Sequence, residues 1–304
     1  MDLKEFTYLI TLAEQGSVSR AADQLYMAQS SLSQFLQQYE AELGVKLFVR
    51  TSKGIHPTHN GAIFIGHLQK IMADYRRARN ELWDSENLRG GKVTFGISSF
   101  RARRMLPLIL KAFYEKYPSV QVDVVEENSK MLETLLLEGK LDLAVIAMPF
   151  TKLKCEFALL KKDEILIAAS RNHPAMAFAQ SKGNAQGQWI SLKDASQFGF
   201  ILSDHTTMLG SIGRNLFQKE KLHCDILHGN ITADLAVHMA SEGLGLAFTY
   251  ASCVDPGEDT ALLSIGKAGV FLDLCLATPA GEYHSRAAQA LEEVIREVYQ
   301  VATE

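Results

Sequence analysis

The chain lacks any stretch approaching the roughly 18 consecutive apolar residues that a membrane-crossing helix needs. Its start, Met1-Asp2-Leu3-Lys4-Glu5, does not set a basic segment ahead of an apolar one, as a secretory signal would. Cysteine is scarce: Cys155, Cys224, Cys253 and Cys275 lie far apart, with no CxxC pair. That leaves no basis for a disulfide framework or a paired-cysteine zinc site, and all four read as plain buried thiols. The missing export signal and missing disulfides lead to the expectation of a cytoplasmic protein with no membrane partner. No Ser-His-Asp set and no Walker phosphate loop is present, so an enzyme is not expected, nor a metal or cofactor. Net charge is small as well: 31 Lys and Arg stand against 35 Asp and Glu, giving -4. Bulk charge alone therefore gives no sign of a nucleic-acid partner.

What is present is ordinary globular composition over 304 residues, 47% hydrophobic and 22% charged, enough for two domains with real cores. The first sixty residues read as short helices. In Leu3 to Glu14, the residues Phe6, Leu9, Ile10 and Ala13 recur at helical spacing and define one buried face. Gly16-Ser17 ends that helix, and Ser17 or Ser19 can cap the next. Ala21, Ala22 and Leu25 give the second helix a flat apolar face; a break follows at Tyr26-Met27-Ala28. A third helix runs from about Gln29 to Glu42, burying Leu32, Leu36, Tyr39 and Leu43, and Gly44 ends it. The segments Val45–Arg50 and Lys53–Pro57 then partly alternate across a glycine-containing turn, as a two-stranded wing would.

From Thr58 to about Leu88 one long amphipathic helix is expected. Ile65, Leu68, Met72, Tyr75 and Leu82 step by threes and fours, with Arg79 in one expected apolar slot. A seam of period 3.5 marks a coiled coil, and nothing adjacent in sequence offers the helix another partner, so self-association is expected. Arg76, Arg77 and Arg79 read as a solvated face. Leu88-Arg89-Gly90-Gly91-Lys92 is the linker. Beyond it, strands at Val93–Ile97, Val120–Val125 and Leu141–Ile146 alternate with helices at Met105–Tyr117 and Met131–Glu138: a parallel βαβαβ unit. A second α/β unit opens near Asp163, with strands at Glu164–Ser170, Gly199–Leu202 and Cys224–His228. Its helices are expected at about Leu209–Lys219 and Ile231–Glu242. Gly243–Phe248 turns from helix into strand, and a strand at Asp273–Thr278 and a helix at about Tyr283–Val301 close the chain. Two such units make a bilobed module whose ligand would sit in the cleft between them.

The strongest functional signal is Ser17 to Leu25, a three-residue break, then Gln29-Ser-Ser-Leu-Ser-Gln34. Two short helices joined by a tight turn let the second lie in the major groove of double-stranded DNA while the first crosses the backbone. Leu32 and Leu36 supply the apolar underside this needs. Gln29, Ser30, Ser33, Gln34 and Gln37 supply an outward face of hydrogen-bonding groups that can read base edges or hold phosphate. No Asp or Glu occurs from Gln29 to Tyr39, where a carboxylate would repel phosphate. Ser17, and Arg50 and Lys53 on the wing, complete the candidate contacts.

Gly16-Ser17, Ala21-Ala22, Leu25, Gln29, Ser33, Glu40, Leu43-Gly44, Leu47-Phe48, Arg50, Thr58 and Gly61 follow the order and spacing of the LysR-type transcriptional regulators. So do Leu106-Pro107, Phe113, Tyr117-Pro118, Gly139–Asp142 and Gly243-Leu244-Gly245 further on, and the resemblance spans essentially the whole chain. It implies an α + α/β protein. The expected parts are a winged helix-turn-helix over 1–58, a linker and dimerisation helix over 59–89, and a two-lobed effector-binding domain over 90–304. That domain would resemble periplasmic binding proteins, with lobe I at about 90–162 and 266–304 and lobe II at about 163–265. It also implies a homo-oligomer, a dimer through the linker helix and a tetramer built from dimers, acting on interrupted palindromes. RNA polymerase is a candidate further partner.

This chain departs from the family in carrying Ala28 where Ser or Thr is frequent, Ser30 for Pro and Gln34 for Arg. Ala28 removes a cap bond typically worth about 1 kcal/mol. Gln34 gives up a charged contact and changes base preference, and Phe35, in a usually polar position, is expected to pack against the linker helix. The resemblance places a small-molecule effector near Ser98, Ser99 and Phe100, Asn128 and Ser129, Ser203, Asp204, His205 and Thr206, and Thr232. Hydroxyls and free N–H groups at helix starts suit an anion or a carboxylate, and Arg101, Arg103 and Arg104 offer a counter-charge. The expectation is therefore a transcription regulator whose operator binding a small molecule modulates. Alternatives are a regulator governed by thiol chemistry or expression level, or a solute-binding protein, which would require export.

Overall fold

In the computed structural model the described residues are 2–52, 54–84, 91–148, 155–183, 187–254, 259–279 and 284–300. Contacts divide the chain into two units, one of residues 1–87 with 138–140 and one of the remainder.

The first unit is built by local signals. Helix α1 (Leu3–Gln15) starts at Asp2, whose carboxylate accepts from the Lys4 N–H while Glu5 reaches back, and it ends at Gly16 in the left-handed conformation. Helix α2 (Val18–Gln24) is capped by Ser17, which accepts from the Arg20 N–H. Helix α3 (Gln29–Leu43) has Ala28 at its start, with no side-chain cap, and ends at left-handed Gly44. Strands β1 (Phe48–Thr51) and β2 (Gly54–Pro57) form an antiparallel wing with Arg50 opposite Ile55. Helix α4 (His59–Asp84) follows. Gly61 is obligatory there, since a Cβ would lie 1.9 Å from the carbonyl oxygen of Leu47.

Two expectations about this unit are corrected: Leu43, expected to be buried on α3, is exposed, and the seam of α4 is divided. The seam of α4 does not all face outward: Ile65 and Leu68 are buried with Leu9, Leu12 and Leu32, and Met72 packs beside them. Helix α1 is the partner that local sequence did not suggest. Ile63, Ile71, Tyr75 and Leu82 stay exposed. Phe35 packs against the core to which α4 contributes Ile65 and Leu68. Its ring meets Tyr8 of α1 edge-on at 5.2 Å and Tyr39 at 5.5 Å, and it is Tyr39 that faces Phe64 of α4. The side chains of Arg76, Arg77 and Arg79, the helix expected beyond Asp84, and Lys53 lie outside the described residues.

The second unit is an α/β body. Its elements begin with β3 (Lys92–Ile97), α5 (Ser99–Lys116), β4 (Gln121–Glu126), α6 (Ser129–Leu137), β5 (Leu143–Ala147) and β6 (Cys155–Ser170). A 3-10 turn at Pro174–Phe178 leads to β7 (Gln180–Ser181), β8 (Gln188–Ile190), α7 (Leu192–Ala195), β9 (Phe200–Ser203) and α8 (Met208–Lys219). Then come β10 (Ile226–Ile231), α9 (Ala233–Ser241), β11 (Leu246–Tyr250), β12 (Thr260–Ile265), β13 (Val270–Pro279) and α10 (Arg286–Gln300). Helix α5 begins six residues earlier than predicted and holds Pro107 inside it, and β6 is a 16-residue strand rather than seven.

The strands form one hydrogen-bonded path, β10-β9-β11-β6-β13-β5-β3-β4, with β12, β8 and β7 attached beside β6. The parallel β3, β4 and β5 lie to one side of the antiparallel pair β6–β13, and the parallel β9, β10 and β11 to the other. Aliphatic strand residues and α5 residues such as Ile109 and Phe113 fill the core of the first side. Phe200, Phe217 and Phe248, with ring centroids 5.0 to 5.8 Å apart, anchor the second. Among the described residues no helix is long and apolar enough to cross a membrane.

Candidate nucleic-acid interface and ligand site

Helix periodicity sorts α3 into two faces. Leu32, Leu36 and Tyr39 are buried, while Gln29, Ser30, Gln34 and Gln37 are exposed and Ser33 is half-buried. The wing is held against this helix by Glu40, a buried carboxylate that accepts from the N–H groups of Leu47 (2.8 Å) and Phe48 (3.0 Å) and from Lys46 Nζ (2.7 Å). Burial alone would raise its pKa, but these three donors hold it below the ordinary glutamate range. The Ile55 N–H donates to the Gly16 carbonyl at 3.0 Å, fixing the other wing strand to the end of α1. The outcome is that Arg50 Nη2 on the wing stands 3.4 Å from Ser33 Oγ on the helix, so two of the predicted contacts come together. Ser17 is spent as a cap, although its side chain remains half-exposed.

Sequence reasoning passed over Tyr26. It sits in the turn between α2 and α3 with φ of +53° and is 98% exposed. The signal available was the shortness of the turn, which demands a left-handed residue where the chain carries no glycine.

In the second unit several helix starts converge. The Glu127 N–H donates to the Ile97 carbonyl, setting the Asn128 turn beside Ser98, and the Asp204 N–H donates to the Ile231 carbonyl, setting the Ser203–Thr206 turn beside Thr232. An ion pair between Arg103 and Asp234 joins the second turn of α5 to the first turn of α9. Ser98 makes no side-chain cap bond, so its hydroxyl is not spent on its own helix. Thr232 accepts from the Leu235 N–H and Asn128 Oδ1 from the Met131 N–H, which makes both of them caps. Ser99 and His205 are exposed, Phe100 is half-buried, and Ser129 and Ser203 are buried. Thr206 donates from both N–H (2.7 Å) and Oγ1 (2.6 Å) to Asp204, and those hydrogen bonds lower the Asp204 pKa. An ionised carboxylate thus stands among the hydroxyls, a feature that disfavours a bare anion beside it.

Arg101 departs from its expected role. Its side chain is 3% exposed and turned inward onto Asp163, which is 0% exposed, with Nη2 3.2 Å from Oδ2. The guanidinium also lies 3.9 Å from the ring centroid of Tyr250. Asp163 accepts further from the N–H (3.0 Å) and hydroxyl (2.6 Å) of Ser252. The charge of Arg101 is therefore neutralised inside the protein rather than offered to a ligand. A cavity of about 280 Å³ lies elsewhere, lined by β6, β13 and α10 residues including Phe157, His284, Glu292 and Arg296.

Burial raises the pKa of Cys224 and of Cys253 to about 11 and shifts that of Cys275 upward, so these thiols are protonated and weakly nucleophilic at neutral pH. The side chain of Cys155 lies outside the described residues. No group of three or more metal-ligating side chains occurs among the described residues.

Residues 3–62 match the family described as bacterial regulatory helix-turn-helix protein, lysR family, and residues 86–300 match the LysR substrate binding domain. An uncharacterized HTH-type transcriptional regulator of Bacillus subtilis, YcgK, is 31% identical over 171 residues, 56% of this chain and 53% of that protein. A probable RuBisCO transcriptional regulator of Cyanidium caldarium is 24% identical over 94% of this chain and 90% of its own length. A full-length point variant of OxyR from Pseudomonas aeruginosa shares the fold, with a TM-score of 0.68 at 22% identity over 97% of this chain and 98% of that one.

Proposed function

We propose that this chain, which belongs to the LysR family of DNA-binding transcriptional regulators, reads its operator through Gln29, Ser30, Ser33, Gln34 and Gln37. Ser17 and Arg50 would steady it on the phosphates. The observation that carries this reading is the sorted surface of α3: every exposed side chain from Gln29 to Gln38 is an uncharged hydrogen-bonding group, and the apolar ones face inward. An amide can pair with adenine N6 and N7 together, and an unopposed carboxylate would repel the backbone. The Arg50–Ser33 contact places a cation beside that surface.

In this reading 1–58 is the winged helix-turn-helix, 59–89 the dimerisation helix and 90–304 the effector module, working in the cytoplasm. The exposed Ile71, Tyr75 and Leu82 of α4, four and seven residues apart, support pairing of two chains along that helix. A tetramer would pair two such dimers. The effector would lie among Ser98, Ser99, Phe100, Asn128, Thr206 and Thr232. A carboxylate ligand carrying its own hydrogen-bond donor fits best, because that donor can answer Asp204. The raised thiol pKa values weigh against control by cysteine chemistry.

The test is fluorescence anisotropy at fixed salt with a duplex selected by the wild-type protein from a random-sequence pool. Gln34→Ala should weaken binding by about 1–3 kcal/mol at the position it reads. Unchanged affinity would remove Gln34 from the interface. Repeating the titration with small carboxylates present tests the effector half: no shift of Kd across the panel would reject a carboxylate effector.

A further inference from the structure

We propose that Tyr26 is a further DNA contact, its phenol hydroxyl donating to a backbone phosphate oxygen at the edge of the groove occupied by α3. This rests on the reading of α3 as the recognition helix. Each of the three helices at the start of the chain is followed within two residues by a left-handed residue, and only two of those residues are glycine. Helix α1 stops at Gly16 with φ of +56° and α3 at Gly44 with φ of +67°. Helix α2 ends at Leu25 with φ of −87°, and the left-handed residue is the next one, Tyr26, with φ of +53°. Its N–H donates to the Asp23 carbonyl at 3.2 Å, and the next N–H, of Met27, reaches back to Ala22 at 3.0 Å. That pair of bonds is the Schellman closure, whose left-handed position is usually glycine because a Cβ crowds the following carbonyl.

A tyrosine in that place would normally repay the strain by packing. This one does not: its side chain is 98% exposed, the highest value among the large hydrophobic residues described. Met27, its neighbour, turns inward and packs against the core, so the turn could have been sealed without an aromatic ring outside it. Strain retained with no return inside the chain points to a return outside it. The turn precedes the exposed Gln29-Ser30 end of α3, where a helix-turn-helix runs past the sugar-phosphate backbone. Tyrosine serves there as a neutral donor to phosphate, a contact that sets register without reading sequence.

The experiment uses the full chain and two labelled duplexes, one selected by the wild-type protein from a random-sequence pool and one unselected. Tyr26→Phe keeps the ring and removes the donor. It should melt as the wild type does and lose about ten- to hundredfold in affinity for both duplexes, the range of one hydrogen bond to a charged acceptor. Because a neutral donor releases no counterion, the slope of log K against log salt should stay unchanged. Tyr26→Gly should lose as much affinity while melting near the wild-type temperature, since relieved strain offsets the extra freedom of the unfolded chain. Wild-type affinity in Tyr26→Phe overturns the proposal, and so does a clear fall in melting temperature in Tyr26→Gly, which would show that the ring serves the fold. Gln34→Ala on the same duplexes separates the two readings. If it weakens binding while Tyr26→Phe does not, only the tyrosine contact fails; if the wild type selects no duplex, the DNA reading itself fails.

Discussion

Each unit of this molecule buries one well-satisfied carboxylate, and the two are wired differently. Glu40 bonds to Lys46, Leu47 and Phe48, six to eight residues away. Asp163 bonds to Arg101 and Ser252, 62 and 89 residues away. Glu40 is a local staple: it fastens the end of a helix to the wing that follows it, using two backbone N–H groups that would otherwise be buried without partners. Asp163 is a stitch across the topology, joining α5, β6 and the turn after β11 around an enclosed charge. The first arrangement tolerates loss of its cation; the second does not, because removing either member strands the other out of water.

The sharpest way to break the comparison is Asp163→Ala, which leaves Arg101 buried and unpaired. It should destabilise the second unit by about 3–5 kcal/mol, read as a lowered urea midpoint of that transition. Pairing it with Arg101→Met should recover most of the loss, and a double variant no better than the single one would show that the charge pair is not the unit of stability. Glu40→Gln comes next. It should cost about 1.5–3 kcal/mol, the range for hydrogen bonds to a charged group. Since the folded pKa of Glu40 lies below its unfolded value, its contribution is fully present near neutral pH and fades as pH falls through and below the ordinary glutamate range. The stability gap between wild type and Glu40→Gln should therefore narrow in acid; a gap independent of pH would mean the carboxylate is not charged in the fold. The smallest effect belongs to Lys46→Ala. Lys46 is 74% exposed, so its loss should change stability by only about 0–1 kcal/mol. A larger drop would move the weight of the staple from the backbone donors to the lysine.

The same wiring explains how much of the molecule was legible from sequence. The first three helices of the chain could be read to within a residue because each is closed by signals inside it or beside it: Asp2 and Glu5, Gly16, Ser17, Gly44. The outward face of α3 was legible for the same reason, since a helix's own period decides which residues look out. Tyr26 was passed over, because left-handed backbone without glycine shows itself only in the shortness of the turn. In the second unit β6 was read only from Glu164, since Lys161, Lys162 and Asp163 interrupt its apolar pattern, yet in the sheet they simply occupy register positions against β13. Arg101 read as a counter-charge for an effector because its partner lies 62 residues on. Pairing at that distance is decided by the sheet, not by neighbours in the chain. The split of the α4 seam, with Ile65 and Leu68 inside and Ile71, Tyr75 and Leu82 outside, likewise depends on where α1 lies.

The position of β13 has a consequence for how the chain is made. It pairs with β5 on one side and β6 on the other, so a central strand is made long after the strand it joins on one side. Until residues 270–279 emerge, two partial sheets exist, each with an open edge of unpaired N–H and C=O groups. Open edges of that kind are templates for pairing with other chains. A message truncated before this strand would therefore yield a finished first unit tethered to an aggregation-prone remainder. At roughly 5–20 residues per second, the nascent chain spends several seconds in that state on every round of synthesis.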